Sequence, residues 1–368
     1  MVTATMPVSV TLNGNVKEPN DITDRRNVLR YRSRLLLFVL CFLLFSTSVS
    51  YAAQPSQKIR IALFPFENLT EDKSALISVM PLIRGRLEAR GLEVLDEASL
   101  NRFLLKERIR RTGYISKDMA RKIREEVNVK AILVGSINSF SYGENPQIGL
   151  SARLIDSSDG IILWADHVSA TGEDFTSILG LGRIKELDRL IPRVLDKLLA
   201  SFSARPPHKE LESTYRIAVM PFQNISKTKD AGMIAAYMFI AELFKSQKFV
   251  PVEYGEVRHL LVDLRIRDRG ELNLKSMKAL AGSMGVDGIL VGTVELYNEG
   301  AGAAPPEAAI SARLLDARKN KILLYDSCQL DGEDDVVILD WGRIRSAENV
   351  AYKAVSKLVK KMGKTKWR

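Results

Sequence analysis

Arg60-Ile-Ala-Leu-Phe-Pro-Phe-Glu-Asn68 returns as Arg216-Ile-Ala-Val-Met-Pro-Phe-Gln-Asn224, and the landmarks downstream of it return in the same order. Ile132-Leu-Val-Gly-Ser136 is answered by Ile289-Leu-Val-Gly-Thr293, Ser151-Ala-Arg-Leu-Ile-Asp156 by Ser311-Ala-Arg-Leu-Leu-Asp316, and Gly182-Arg-Ile184 by Gly342-Arg-Ile344. The separation grows from 156 residues at the first landmark (60 to 216) to 160 at the last (182 to 342). Solenoid and propeller units repeat every ~20 to 50 residues, so a repeat this long predicts two whole domains, each with its own core.

Within a copy, strands and helices come in mixed order. Ile59 to Phe66 is a short, nearly continuous apolar run closed by Pro65, as expected of a strand covered on both faces. After the polar Asn68-Leu-Thr-Glu-Asp loop, Leu76, Met80, Ile83 and Leu87 keep helical spacing until Gly91. Lys130 to Phe140, Gln147 to Ile155 and Ile161 to Ala170 read as three strands, the last two a hairpin around Asp156-Ser-Ser-Asp-Gly160. A helix is predicted over Phe175 to Phe202, with an interruption near Gly180 and Gly182 and with Pro192 kinking or restarting it. Copy 2 follows the same order, with helices predicted near Asp230 to Gln247, Gly255 to Arg265 and Leu274 to Met284, and a terminal helix to about Met362. The fold class is α/β, verging on α+β: two similar domains, each a mixed β-sheet of about five strands covered by helices. Residues 1–52 read as a signal peptide with a polar N-terminal extension, 53–202 as copy 1, 203–213 as a Pro-containing linker, 214–362 as copy 2 and 363–368 as a basic tail.

The N-terminus points to export. Arg25, Arg26, Arg30, Arg32 and Arg34 precede the wholly apolar Leu35 to Phe45, and Ser50-Tyr51-Ala52 fits a small-x-small cleavage site, placing the cut between Ala52 and Ala53. An inner-membrane signal anchor is the alternative, although a span needs about 20 apolar residues. The expected location is the periplasm or the inner face of the outer membrane. Cys41 would leave with the signal, so no intramolecular disulfide is expected and Cys328 reads as a small core hydrophobe. Residues 1–52 hold six Lys or Arg against three acids, so their removal takes the net charge from +10 to +7. Lys357, Lys360, Lys361, Lys364, Lys366 and Arg368 crowd the C-terminus, which in an exported protein suits anionic headgroups or an acidic partner rather than nucleic acid; solvated helix faces and a frayed tail explain the same charges.

Taken together, Ile61-Ala-Leu-Phe-Pro-Phe-Glu-Asn68, the Asp96-Glu-Ala-Ser-Leu-Asn-Arg-Phe-Leu104 helix entry, Val129-Lys-Ala-Ile-Leu-Val-Gly-Ser136 and the hairpin from Ala152 to Trp164 resemble the CsgG-like domains of curli assembly. Related domains occur in the Tol-system protein TolB, in the lipoprotein activator of penicillin-binding proteins and in a flagellar assembly factor. The resemblance spans both copies. It implies exported, non-catalytic parts of bacterial envelope machinery that bind partners or build rings, and it implies fold with more force than activity. The curli channel is a lipoprotein with added membrane hairpins. Here a lipobox is lacking, and Asn298 to Pro306 is too rich in Gly and Pro for a spanning hairpin.

An enzyme should bring reactive groups together. His167, His208 and His259 have no counterparts in the other copy and read as incidental. Gly172-Glu-Asp174 and Asp331-Gly-Glu-Asp-Asp335 precede helices and read as caps more readily than as cation ligands. Gly180-Leu-Gly182 lacks the third glycine of a dinucleotide turn, Lys185 standing there. Arg153 and Arg313 read as surface cross-strand partners of Asp156 and Asp316. No catalytic, cofactor-binding or metal-binding residue is assigned, and the chain is not expected to be an enzyme. One helix departs from ordinary patterning: Met233 to Phe244 is apolar nearly all round, whereas its counterpart keeps Arg84, Arg86 and Glu88. Either the copies pack through it, or Ile234, Tyr237, Met238, Ile240 and Phe244 form an interface for a partner or a second protomer. The expected function is a non-catalytic exported adaptor or assembly protein that binds other envelope components; the alternative is a component of an oligomeric outer-membrane secretion or transport complex.

Overall fold

The repeated Ile-Ala-x-x-Pro-Phe run forms the first strand of each copy in the computed structural model, which describes residues 58–176, 181–202, 214–265, 274–300, 304–319, 321–336 and 342–367. In copy 1, β1 (Arg60–Leu63) lies between β3 (Glu93–Val94) and β4 (Ala131–Ser141), parallel to both. The sheet continues antiparallel through β5 (Gln147–Asp156) to β6 (Ile162–Thr171), with the two-residue β2 (Glu67–Asn68) beside β4. Copy 2 repeats the order with β7 (Tyr215–Val219), β8 (Gln223–Asn224), β9 (Phe249–Pro251), β10 (Gly288–Asn298), β11 (Glu307–Asp316) and β12 (Ile322–Asp331). The described helices are α1 (Ala75–Ala89), α2 (Glu97–Lys106), α3 (Lys117–Val127) and α4 (Leu187–Leu198) in copy 1, and α5 (Ala231–Lys245), α6 (Tyr254–Asp263), α7 (Leu274–Met284) and α8 (Ala347–Met362) in copy 2. Two mixed sheets with helices between and after their strands make this an α/β fold.

The duplicated landmarks are partners in space. A Cβ on Gly135 would come within 2.6 Å of the Phe66 ring, and one on Gly292 within 2.2 Å of Phe222, so the Pro-Phe just after the first strand requires the glycine of the Ile-Leu-Val-Gly strand. The asparagine that follows folds the exit loop. Asn68 Oδ1 accepts the Thr70 N–H at 3.0 Å while its Nδ2 donates to Asp72 O at 2.7 Å, and Asn224 does the same with Ser226 and Thr228 at 3.1 and 2.8 Å.

Two sequence expectations need correction. Helix α4 begins only at Leu187, because Gly182 adopts φ +91° and the Ile184 N–H donates back to Gly172 O at 3.0 Å; Pro192 then sits within the helix. The tail does not fray at Trp367, whose ring stacks on Tyr215 with 4.2 Å between centroids.

The cores do not divide as the duplication does. Helices α1 and α4 close one face of the first sheet over Val79, Ile83, Leu150, Leu154, Leu190 and Val194. The other face, with Phe64, Ile132, Ile155 and Ile162, belongs to a second core that continues through α5 and α8 into the second sheet. Helix α5 explains this. Eleven of its fifteen residues are buried, which requires cover on both sides, and it packs on β7 and β10 of its own sheet and on β5 and β6 of the other. Tyr237 faces the first sheet and donates to Glu67 Oε2 at 3.0 Å, whereas Phe239 stacks on Phe222 of the second at 4.8 Å. Layers thus run α1/α4, first sheet, α5/α8, second sheet, and Lys58–Arg368 forms one compact unit. The unit from Lys58 to Arg368 should therefore unfold in one calorimetric transition with equal calorimetric and van't Hoff enthalpies. Two resolved transitions would show that the copies hold themselves together separately.

Candidate functional site

The buried polar side chains collect where α5, α8 and the start of α6 meet the first sheet. Ile234, Tyr237, Met238 and Ile240 are at most 2% exposed and Phe244 is half-buried, so the apolar surface they make lies inside the chain, between the copies. Ala52 and Ala53 lie outside the described residues.

Arg153 is not the surface charge its pattern suggested. Pleating turns it to the face that copy 2 covers, where it is 1% exposed. Its Nε donates to Glu253 Oε2 at 2.8 Å, and its Nη2 donates to Glu253 Oε1 at 3.2 Å and to Gly113 O at 2.6 Å. The guanidinium also lies 4.4 Å from the centre of the Tyr237 ring. Burial is the largest single influence and works against its charge, but Glu253, Tyr237 and Glu67 together outweigh it, so the Arg153 pKa is raised. Glu253 is the N-cap residue of α6, so the pair fastens a copy-2 helix terminus to a copy-1 strand.

A second cluster centres on Glu348, in the first turn of α8 and fully buried. Its carboxylate accepts from Ser139 Oγ and from Asn138 Nδ2, the latter at 3.0 Å, both residues standing at a β-bulge of β4. The chain of donors fixes the neighbouring proton. Ser136 Oγ donates to Asn138 Oδ1 at 2.7 Å and Asn138 Nδ2 donates to Ser151 Oγ at 2.9 Å, which leaves the Ser151 hydroxyl to donate to His167 Nδ1 at 2.9 Å. The His167 proton is thereby placed on Nε2, 3.7 Å from Glu348 Oε1. Burial lowers the His167 pKa to about 3, with Lys245 adding to the effect. Burial likewise raises Glu348 to about 7, against the Ser139 and Asn138 hydrogen bonds and with help from Glu299. Room for Glu348 comes from Gly149, where a Cβ would stand 1.9 Å from Oε2.

Ser151, His167 and Glu348 have the residue types of a hydrolytic triad in an unusable arrangement. The serine meets Nδ1 rather than Nε2, the carboxylate lies beyond hydrogen-bond reach, and all three are at most 2% exposed. The cluster is a fastening between copies, which corrects the reading of His167 as incidental. His259 faces Asp263 at 3.3 Å on an exposed stretch of α6, and His208 lies outside the described residues. The acidic loops close turns rather than cap the long helices, which begin only at Leu187 and Ala347: Asp174 Oδ2 accepts the Thr171 N–H at 2.7 Å in the capping box of a single 3-10 turn, and Asp334 Oδ2 accepts that of Asp331 at 2.9 Å. Among the described residues no group of three or more His, Cys, Asp or Glu is placed to hold a metal ion. At the rim of the junction the edges of β6 and β9 flank a cavity of about 650 Å3, lined by Trp164, Phe244 and Phe249 with the Lys245–Asp166 ion pair beside them.

The junction left traces that sequence reasoning missed. Glu348 stands at helical spacing with Ala351 and Val355 on a buried stripe, and a lone acid there asks for a partner. Gly149 is Ala309 in the other copy and His167 is Ser327, differences that mark where only one sheet is covered.

No protein-family model and no curated protein matches the chain. Solved structures similar to it include the PelC dodecamer from Paraburkholderia phytofirmans, at 19% identity over 39% of this chain and 86% of that chain with a TM-score of 0.28. Lipoprotein GNA1162 from Neisseria meningitidis is 20% identical over 39% of this chain and 99% of that chain, TM-score 0.29. The LpoB C-terminal domain from Salmonella enterica is 13% identical over 32% and 83%, TM-score 0.27.

Two groups of the second cluster give opposite signs with pH. Glu348 binds its proton more tightly folded than unfolded, so it favours folding below pH 4.5 and costs stability as pH rises to about 7. His167 behaves inversely: its contribution is present above pH 6.5 and is lost as pH falls towards 3. Glu348→Gln should therefore match the parent in urea unfolding at pH 4 and exceed it at pH 8 by roughly 3 kcal/mol. Equal stabilities at both pH values would mean that Glu348 is not held neutral. Glu253→Leu, which strands Arg153, should cost about 3–5 kcal/mol, and adding Arg153→Met should recover most of it. A double variant as unstable as the single would remove the pairing argument.

Proposed function

We propose that this chain is an exported, non-catalytic adaptor or assembly protein of the bacterial cell envelope, of CsgG-like type, working at the periplasm or the inner face of the outer membrane. One observation carries the reading. The chain's buried ion pair and its acid–histidine cluster are used to lock two binding-type domains into one body, while the copy-2 sheet face that corresponds to the locked one stays open, with Arg313, Tyr325, Ser327 and Gln329 exposed. A rigid body with an uncovered sheet face suits holding a partner better than turning over a substrate. No described helix is long and apolar enough to cross a membrane. The second reading, a component of an oligomeric outer-membrane secretion or transport complex, draws on the same open face, since a ring subunit also needs an unoccupied surface.

Fractionation of cells that make the tagged chain at native level should place it with the periplasm or outer membrane. A photo-crosslinking residue at Ser327 should then join it to a second envelope protein. Recovery from the cytoplasm would overturn the reading. Steps of conductance when the purified mature chain is added to planar bilayers would move the assignment to the transport alternative.

A further inference from the structure

The contact that joins the copies is one-directional. The helix side of copy 2, made of α5, α8 and the α6 cap, covers the sheet face of copy 1, so among the described residues the β11–β12 face of copy 2 and the helix side of copy 1 are left over. We propose that these two leftover surfaces meet between molecules: the open face of β11 and β12 in one chain receives α1 and the start of α2 of a second copy of this chain, head to tail.

The internal contact supplies the template. Arg153 stands opposite Ala165 and Ser151 opposite His167 in copy 1; Arg313 stands opposite Tyr325 and Ser311 opposite Ser327 in copy 2. Arg153 is sealed against Glu253, whereas Arg313 is exposed and lies 5.5 Å from the centre of the exposed Tyr325 ring. Ile162 is 5% exposed beneath copy 2, and its counterpart Ile322 is 56% exposed. Polarity does not exclude cover, because the sealed face of copy 1, with Ser151, Arg153, His167 and Ser169, is no less polar.

The partner surface is equally traceable. The edge strands pair Val94 with Ile61 and Pro251 with Ile217, so two residues on Asp96 occupies the place of Glu253, each being the N-cap of the next helix. Asp96 is exposed and offers Arg313 the carboxylate that Glu253 offers Arg153. On α1, Ile77 takes the place of Met233 and is 77% exposed.

The external contact is weaker than the internal one. Arg84 and Glu88 replace Ile240 and Phe244, and Asp188 replaces Glu348 opposite Glu295, which stands where Asn138 does. The acid pair repels, so the α1 side carries the contact through charge, and association is reversible and weakened by salt. Head-to-tail surfaces that do not return on themselves build rings or filaments rather than closed dimers.

Sedimentation velocity of the mature full chain over a concentration series tests this. The mass should rise beyond a dimer at low salt and fall as salt is added. Arg313→Glu and Asp96→Arg should each weaken association about tenfold or more, and the double variant should regain it, as a swapped ion pair requires. Tyr325→Asp, on the same exposed face, should weaken association with an unchanged thermal transition. A chain that stays monomeric throughout, a mass that stops at a dimer, or an Arg313→Glu variant that associates as the parent does would overturn the proposal. The contact uses the same β11–β12 face that the adaptor reading leaves for its partner, so self-association abolished by Arg313→Glu would move that partner to another surface, whereas a chain that stays monomeric leaves the adaptor reading to the Ser327 crosslink.

Discussion

Everything in this molecule depends on a helix that has no polar side. Alternation of apolar and polar residues at helical spacing lets a helix lie on one sheet and face water. α5 has lost that alternation, and a helix with Tyr237 on one side and Phe239 on the other can be stable only between two covers. Its own sheet supplies one cover and the first copy supplies the other. The duplication therefore could not remain two beads on a linker, and the first sheet acquired an interior on both faces.

That second interior accounts for the placement of charge. Desolvating Arg153 and Glu253 costs several kcal/mol per ion, so their pairing adds little net strength to a junction that the apolar layer already holds. What the polar groups do is penalise every other arrangement. Sliding α8 or α6 by one turn along the first sheet would leave Glu348, Glu253 and Arg153 buried without the partners that now stand at hydrogen-bond distance. Apolar burial thus sets how tightly the copies hold, and the clusters set the register in which they hold. Gly149 belongs to the same constraint, since any side chain there would occupy the space of the Glu348 carboxylate.

The architecture was legible in the sequence to the extent that it is local or repeated. The Asn-closed exit loop and the Asp156 and Asp316 turns are held by neighbours within a few residues, and Ser158 and Arg318 N–H groups do donate to those aspartates at 2.7 and 2.8 Å; strand one, paired with the distant β3 and β4, was legible because it is repeated. The all-apolar pattern of α5 announced a doubly covered helix without saying what covered it. Arg153 was misread because a one-copy view sees only its own hairpin; its partner Glu253 lies 100 residues away on the other copy. His167 was misread for the same reason, its neighbours Glu348 and Tyr352 coming from the last helix. Long-range contacts between copies leave no periodicity, only mismatches between the copies. Gly149 against Ala309, and Ile240 against Arg84, are where that signal lay.

Those mismatches also decide where the repetition stops. A contact that runs from the helix side of one copy to the sheet face of the next has no natural end, because every added copy brings another sheet face. Fusing two copies makes one such contact permanent and leaves one pair of surfaces per chain. In the permanent contact the helix side became apolar, with Ile240 and Phe244 buried or half-buried and Glu348 seated under Gly149. On the free helix side the same positions kept Glu88 and Asp188, which are exposed, and Arg84, half-buried and donating to Leu95 O at 3.2 Å. Had α1 become as apolar as α5, the chain would carry an uncovered greasy helix and associate without control; had α5 kept the charges of α1, the first sheet would lie open. The asymmetry between two helices of common pattern is what lets a duplicated domain form one body without leaving an all-apolar helix uncovered.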